Sequence, residues 1–231
     1  MGILSHSSCV LCEASVSRPI SLCESCEGDL PVLVSACKQC GLPLGETSED
    51  DVVCGECLKM PSVIDYTLCL YHYQAPLDFL ITTLKYKQQL SHAEILGQLL
   101  LTRLEQEKED ELPDCIIPVP LHKSRLVSRG FNQSLEIARP VAKALQLTID
   151  TKLVGRNRKT SMQTDLNASQ RRKNVKNCFE IVTQKAINYE HVVIIDDVVT
   201  TGSTINELAK QLKQSGVKKV GVWAVSRAIL T

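Results

Sequence analysis

The chain of 231 residues has few aromatic side chains and no excess of charge of either sign. Phe, Trp and Tyr make up 4% of the chain, and 26 Lys and Arg residues balance 26 Asp and Glu residues. Proteins that stack many single-stranded bases need aromatic side chains, so this composition argues against an extended base-stacking platform. The balanced charge likewise gives no global attraction to nucleic acid or to an anionic membrane.

Long apolar runs and a Walker phosphate loop are also missing from the sequence. No stretch approaches the roughly 20 apolar residues that a membrane-spanning helix needs. The N-terminal MGILSHSSC has neither a basic region nor a long apolar core, so we expect a cytoplasmic protein without membrane insertion. The pattern GxxxxGK[ST] does not occur, which excludes that kind of nucleotide-binding loop.

Cysteine is abundant, and most of it lies near the N-terminus. Eight of the 11 cysteines fall within the first 57 residues as four C-x-x-C pairs. Two thiolates three residues apart can bind one tetrahedral zinc ion, and a second pair completes a four-cysteine site. The sequence therefore predicts two structural Zn²⁺ ions, with the ligands Cys9, Cys12, Cys23, Cys26, Cys37, Cys40, Cys54 and Cys57.

The pairing of these cysteines is open at the level of the sequence. Consecutive pairs could share a zinc ion, which gives two successive zinc ribbons and is the favoured arrangement, or the pairs could interleave. Redox-active pairs are disfavoured because no βαβ pattern surrounds them, and iron–sulfur ligation is a less favoured alternative. Residues 1–60 show little apolar periodicity, so metal binding would stabilise this zinc-binding domain. Three isolated cysteines are predicted to be core residues: Cys69, Cys115 and Cys178.

Residues 61–231 alternate strand-like apolar runs with helical patterns. This alternation predicts an α/β domain with a parallel sheet, right-handed crossovers and a ligand site at the carboxyl ends of the strands. The predicted strands are Tyr66–Tyr73, Asp114–Val119, about Thr151–Val154, Val192–Ile195 and Lys218–Ser226. The predicted helices are Pro76–Tyr86, about His92–Lys108, about Gln133–Leu145 and one that follows Thr204 and ends near Gly216.

The most informative segment is VVIIDDVVTTGST, residues 192–204. Its apolar run is typical of a strand buried on both faces, and it leads to Asp196 and Asp197. The loop that follows offers hydroxyl and backbone N–H groups at a helix N-terminus, where a phosphate monoester binds well. The two carboxylates suit the vicinal hydroxyls of a sugar or a metal-bound water. Ribose 5-phosphate carries both groups; an ordinary turn with an Asp-rich cap is the alternative. The loop residues are Thr200, Thr201, Gly202, Ser203 and Thr204.

This segment resembles the loop that binds phosphoribosyl pyrophosphate (PRPP) in type I phosphoribosyltransferases. The whole chain resembles their ComF/GntX-type subgroup, which is associated with competence and the use of external DNA. Four features carry this resemblance in order: the cysteine pairs, PVPLHKSRLVSRGFNQ at 118–133, RNRKTSMQ at 156–163, and DDVVTTG at 196–202. The resemblance implies a type I phosphoribosyltransferase-like fold in residues 61–231, behind the zinc ribbons.

The resemblance also implies a second loop that binds pyrophosphate through backbone amides. The candidate is the loop after the second predicted strand, whose prolines restrict its backbone. Basic side chains that follow this loop in the sequence would bind phosphate oxygens. The alternative is a surface turn with incidental basic residues. The candidate residues are Val119, Leu121, His122, Lys123, Arg125 and Arg129.

A basic segment at 156–174 matches the position of a mobile lid in this superfamily. Arg156 and Lys159 would join the two aspartates as catalytic residues, because a closing basic lid excludes water and neutralises departing pyrophosphate. A basic linker or a nucleic-acid-binding strip is the alternative.

The implied reaction is transfer of a phosphoribosyl group from PRPP, with Mg²⁺, to an unidentified nitrogen acceptor. The alternative is a non-catalytic PRPP sensor that handles single-stranded DNA or meets DNA-uptake machinery. The fold alone does not decide between these hypotheses.

Overall fold

The computed structural model describes residues 7–45, 52–105, 112–158, 175–182 and 188–229. In chain order the elements are β1 (Ser7–Ser8), β2 (Ser15–Val16), α1 (Glu24–Gly28), α2 (Gly55–Lys59), β3 (Tyr66–His72), α3 (Leu77–Lys87), α4 (Leu90–Leu104), β4 (Cys115–Pro118), α5 (Lys123–Arg129), α6 (Gln133–Ala144), β5 (Thr148–Ile149), β6 (Val154–Arg156), β7 (Phe179–Ile181), β8 (His191–Val199), α7 (Ser203–Gln214) and β9 (Lys219–Arg227).

Within the described ranges, five strands form one parallel sheet in the order β3-β9-β8-β4-β5. Residues of β8 alternate between the two hydrophobic clusters: Val193 and Ile195 pack with α3, α4 and α6 on one face. Val192 and Ile194 pack with α7 on the other. Because both faces are covered, β8 needs apolar residues at consecutive positions, as its sequence indicates. The predicted α/β fold is confirmed.

Two of the predicted strands differ from the observed ones by more than one residue at an end. β8 does not end before the acidic pair but continues through it to Val199, so Asp196 and Asp197 are strand residues. The strand predicted near 151–154 is wrong: the chain instead forms β5 and then β6. Asp150 separates them, because its Oδ1 accepts hydrogen bonds from the amides of Lys152 and Leu153, each 2.8 Å long, and turns the backbone.

The cysteine-rich segment lies along the outer edge of β3. The Leu33 amide donates to the Leu70 carbonyl over 2.8 Å, and the His72 amide donates to the Pro31 carbonyl over 2.8 Å. These bonds satisfy backbone groups of an edge strand that would otherwise be unpaired. β6 and β7 pair as a short antiparallel ribbon outside the parallel sheet. The division into domains 1–60 and 61–231 stays a prediction.

Candidate functional site

Two buried carboxylates lie near the carboxyl end of the strand β8. Asp196 is 9% exposed and Asp197 is 2% exposed. The Ser134 hydroxyl, in the first turn of α6, donates to Asp196 Oδ1 over 2.8 Å, and Gln133 Nε2 donates to Asp197 Oδ1 over 3.4 Å. The adjacent carboxylates therefore have different partners, although both are held by the N-terminus of α6.

Asp197 also forms an ion pair with Lys85, which lies in the last turn of α3. Burial by itself lowers the pKa of the Lys85 ammonium, but the negative charge of Asp197 outweighs it and raises that pKa. The ion pair accounts for Asp197 Oδ2, a buried oxygen that has no further hydrogen-bond partner. Lys85 thus supplies the counter-charge that a carboxylate needs in a buried position.

The two carboxyl groups titrate in opposite directions. Burial raises the pKa of Asp196, and the adjacent Asp197 charge raises it further, to about 7. Burial also opposes ionisation of Asp197, but Lys85 reverses this and lowers the pKa of Asp197 below its usual range. Of the two carboxyl groups, Asp196 is therefore the one that takes up a proton as the pH falls through about 7, while Asp197 stays ionised.

The loop from Thr200 to Thr204 follows β8 and begins α7. Gly202 is the N-cap of α7 and has φ +73°, a left-handed conformation that side chains disfavour. Glycine has no side chain to cap the helix, and the amide of Ser203, the first residue of α7, donates to Thr201 Oγ1 over 3.3 Å. The hydroxyls of Thr201 and Ser203 lie 2.8 Å apart. This arrangement has the donors and the helix dipole that a phosphate group needs.

The loop after β4 lies beside the carboxylates. The amide of Val119 donates to the Ile195 carbonyl over 3.0 Å, and Asn132 Nδ2 donates to the Val119 carbonyl over 3.0 Å. Leu121 is half-buried, and His122 is the N-cap of α5, where its Nδ1 accepts from the Ser124 amide over 3.2 Å. The loop is thereby held by both β8 and the cap of α6.

The basic residues of α5 differ in position. Lys123 is exposed, and Arg125 is half-buried. Arg129 approaches the carboxylates: its Nη1 donates to Gln133 Oε1, and the other end of that amide donates to Asp197. Burial lowers the pKa of Arg129, while the Asp197 charge raises it. Arg129 is thus joined to the acidic pair through the amide of Gln133.

Arg156 at the end of β6 reaches the loop after β4. Its Nη1 donates to the Pro120 carbonyl over 3.4 Å, and its guanidinium carbon lies 5.3 Å from the centre of the Phe179 ring. Arg158 is exposed and donates to the Lys176 carbonyl over 2.8 Å. Lys159, with most of the predicted lid, lies outside the described residues. The antiparallel β6–β7 ribbon therefore brings Arg156 to the predicted pyrophosphate loop.

Lys85 and Ser134 are not among the residues predicted for this site. A signal for Lys85 existed: it follows Leu77 and Ile81 at intervals of four, so it lies on the buried stripe of α3. A lysine on such a stripe needs an anionic partner. Ser134 directly follows the quoted segment 118–133, but its partner lies 62 residues away.

The eight paired cysteines form two four-cysteine sites. Each site brings four sulfur atoms within 4.8 Å of one another, and the neighbouring pairs combine in sequence, as predicted. The Cys12–Cys23 and Cys40–Cys54 sulfur distances are both 3.7 Å, close to the ~3.8 Å expected for a tetrahedron with Zn–S bonds of ~2.3 Å. The amide of Cys54 donates to the sulfur of Cys37 over 3.2 Å, as amides do to metal-bound thiolates. The donor set fits zinc.

In the described part of the chain, no helix combines the length and hydrophobicity needed to cross a membrane.

Comparison with known proteins matches both parts of the chain. Residues 3–69 match the double zinc ribbon domain, and residues 132–228 match the phosphoribosyl transferase domain. DNA utilization protein YhgH of Salmonella typhi is 36% identical over 211 residues, which are 90% of this chain and 91% of that protein.

Two further relatives differ in how much of the chain they cover. Competence protein F of Haemophilus influenzae is 33% identical over 95% of this chain and 96% of its own length. Transcriptional regulator GfcR of Methanocaldococcus jannaschii is 49% identical over 43 residues, which are 19% of this chain and 20% of the regulator. Since the two long matches span nearly the whole of both proteins, the chain belongs to the family of competence protein F and DNA utilization protein YhgH.

Proposed function

We propose that this protein binds PRPP with Mg²⁺ at the carboxyl end of β8 and transfers its phosphoribosyl group to a nitrogen acceptor during DNA utilisation. The observation that carries this proposal is that two buried carboxylates lie next to a loop that begins a helix. Asp196 and Asp197 lie directly before a loop whose N-cap is Gly202. Ribose 5-phosphate has a phosphate and two hydroxyls that are separated by a few bonds. Such a ligand can bind to the loop through its phosphate and to the carboxylates through its hydroxyls.

Each part of PRPP has a matching group in this proposal. The 5-phosphate accepts hydrogen bonds from the loop 200–204 and the first turn of α7. The ribose hydroxyls donate to Asp196, which Ser134 orients over 2.8 Å. The pyrophosphate lies toward the loop after β4, where Arg129 and Arg156 supply positive charge. Asp196 and Asp197 are the carboxylates that could hold Mg²⁺ beside PRPP, and the ion would neutralise part of the pyrophosphate charge.

The proposed transfer breaks the bond between the anomeric carbon and the pyrophosphate oxygen and forms a bond from that carbon to nitrogen. The bonding electrons leave with pyrophosphate, and the nitrogen releases its proton to solvent. Positive charge develops on the ribose ring, so the nearby negative charge of the acidic pair stabilises it. Arg156 stabilises the departing pyrophosphate in the same way.

We also propose that each four-cysteine site holds one structural Zn²⁺ ion. The sulfur distances support this proposal, and residues 7–45 contain only short elements of two to five residues that cannot form a large core. Metal binding would therefore stabilise the fold of the ribbons.

A second candidate function is PRPP sensing without turnover. The match to a relative named as a transcriptional regulator favours it, and single-stranded DNA or DNA-uptake machinery would then be the partner. In this hypothesis the loop binds PRPP, but no acceptor enters the site.

Two measurements test these proposals. Calorimetry with PRPP and Mg²⁺ should detect saturable binding, with ribose 5-phosphate as the ligand that lacks pyrophosphate; absence of binding by either ligand would reject the site. Release of pyrophosphate is then measured with nucleobases and with a short single-stranded oligonucleotide. Release that depends on an added acceptor supports transfer, and binding with no release supports sensing.

A further inference from the structure

Arg227, the last residue of β9, is a buried arginine whose hydrogen bonds within the described residues all go to backbone carbonyls. Arg227 is 6% exposed. Nη1 donates to the carbonyls of Val199, over 3.1 Å, and Thr200. Nε donates over 3.2 Å to the carbonyl of Cys40, a ligand of the second four-cysteine site. One guanidinium therefore joins that site to the start of the loop 200–204.

The positive charge of the buried Arg227 side chain needs a negative charge close to it. The salt bridges among the described residues do not include Arg227, yet a buried cation needs a compensating charge. A zinc ion with four thiolates carries a net charge of −2, and the second site, of Cys37, Cys40, Cys54 and Cys57, adjoins the guanidinium. The metal-loaded site would thus supply the charge that stabilises Arg227 in this position.

A second route joins the same cysteine turn to the same loop. Gln39, between Cys37 and Cys40, donates from Nε2 to the Ser62 carbonyl over 3.3 Å. The Ser62 hydroxyl donates to Asn206 Oδ1 over 2.7 Å, and Asn206 Nδ2 donates to the Gly202 carbonyl over 3.1 Å. The turn at Cys37–Cys40 therefore holds Val199 and Thr200 through Arg227, and it holds Gly202 through Ser62 and Asn206.

This turn is packed tightly against the sheet. A Cβ atom on Gly41, which has φ +67°, would lie 2.9 Å from both Cys69 Sγ and Thr67 Cγ2. Thr67 Oγ1 also donates to the Gln39 carbonyl over 2.8 Å. The turn has no free space on this side, so a change in its conformation must be transmitted to β3 or to the loop.

The first four-cysteine site differs in this respect. In the described part of the chain, the hydrogen bonds made by Cys9, Cys12, Cys23 and Cys26 stay within residues 9–27. Their site packs against the hydrophobic cluster that contains α3, α4 and α6, and none of its hydrogen bonds within the described residues reaches the loop. The two sites have the same ligands, so they form a matched pair in which one contacts the loop and the other does not.

We propose that Arg227 is a positioning residue that couples metal binding at the second four-cysteine site to phosphate binding at the loop 200–204. The ligand part of this proposal rests on the proposed function. Metal loading fixes the carbonyl of Cys40, Arg227 fixes the carbonyls of Val199 and Thr200, and the loop keeps the backbone conformation that receives a phosphate. By linkage, phosphate binding must strengthen metal binding by the same factor.

The test compares Cys57→Ser, in the second site, with Cys26→Ser, in the first. Each variant should lose one zinc ion per chain. Without any ligand, Cys57→Ser should raise amide hydrogen exchange at 199–204 by at least about tenfold, an order expected if the loop opens locally. Cys26→Ser should leave that exchange at the wild-type rate. Equal exchange in the two variants would overturn the proposal.

Arg227→Gln tests the link itself, and Arg139→Gln, a change at an exposed arginine of α6, is its control. Arg227→Gln should retain both zinc ions, raise hydrogen exchange at 199–204 and weaken PRPP binding about tenfold. Arg139→Gln should leave the exchange and the PRPP affinity at their wild-type values. Wild-type exchange at the loop in Arg227→Gln would contradict the role of Arg227. If Arg227→Gln does not fold, the comparison of Cys57→Ser with Cys26→Ser still tests the proposal. If wild-type protein binds no PRPP, the proposed function fails, but the exchange measurements still test the coupling.

Discussion

Lys85 and Asp197 form an ion pair beneath the loop that follows β8, with side chains that are 20% and 3% exposed. This pair makes the two adjacent aspartates unequal. Asp197 is ionised and neutralised by Lys85, whereas Asp196 has a raised pKa and a hydrogen bond from Ser134. We infer that Asp197 holds the site together, and that Asp196 is the carboxylate that meets the ribose hydroxyls.

At pH 8, where Asp196 is mostly ionised, replacing it with Asn should weaken PRPP binding about 10- to 100-fold, because a charge-assisted hydrogen bond contributes about 1.5–3 kcal/mol. The melting temperature should not fall, because a buried like charge is removed. Calorimetry and thermal unfolding of the same preparation measure both quantities. Glu190→Gln, at the exposed opposite end of β8, is the control and should change neither. Unchanged affinity with a lower melting temperature would mean that Asp196 only supports the fold.

The Lys85–Asp197 ion pair should show strong coupling in a double-mutant cycle on stability. Lys85→Met and Asp197→Asn should each lower the free energy of unfolding by roughly 1–3 kcal/mol, since each leaves a buried charge without its partner. The double variant should be more stable than the sum of the two effects predicts. Urea unfolding provides the free energies, and Lys87→Met, at an exposed position on the same helix, serves as the control. Additive effects would show that the two charges do not interact in solution.

Stability should depend on pH through Asp196 in a defined direction. Its pKa rises from 3.8 in the unfolded chain to about 7 in the fold, so between these values the folded state holds a proton that the unfolded state has lost. This contribution is complete below about pH 4 and is lost as the pH rises toward 7. The stability of Asp196→Asn relative to wild type should therefore increase over that range and level off above it. Urea unfolding from pH 4 to 8 measures the difference, and a constant difference would contradict the raised pKa.

Freshly purified, reduced protein should contain two zinc ions per chain. Structural zinc binding contributes roughly 10 kcal/mol or more in small zinc domains, so chelation should unfold the cysteine-rich segment. Elemental analysis gives the stoichiometry, and hydrogen exchange over residues 7–45 follows unfolding. One zinc ion per chain would mean that only one of the two four-cysteine sites binds zinc. A protein without zinc would contradict the assignment of both sites.

Arg156→Gln should weaken PRPP binding more than ribose 5-phosphate binding. The reason is that Arg156 reaches the loop predicted to hold pyrophosphate, which ribose 5-phosphate lacks. Arg158→Gln, an exposed neighbour, should leave the ratio of the two affinities near its wild-type value. An equal loss for both ligands would place Arg156 away from the pyrophosphate.

Local sequence patterns were sufficient to predict the fold class, the parallel sheet, the cysteine pairs and the loop after β8. Each of these depends on residues close together in the chain: an uninterrupted apolar run for β8, C-x-x-C spacing for the metal sites, and a glycine in TTGST for the loop. Such short-range signals reflect backbone geometry and burial, which a sequence displays directly. The end of β8 was harder to predict, because acidic residues are unusual inside a buried strand.

Tertiary structure alone decided which charges meet. Lys85 lies 112 residues from Asp197 in sequence, and Arg227 lies 187 residues from Cys40. A buried charge is stable only with a partner at short distance, and only the packing of α3 on the sheet and of the second cysteine turn on β3 provides those distances. The sequence by itself thus determined the kinds of groups in the site, and the packing of distant segments determined their charge states and their coupling.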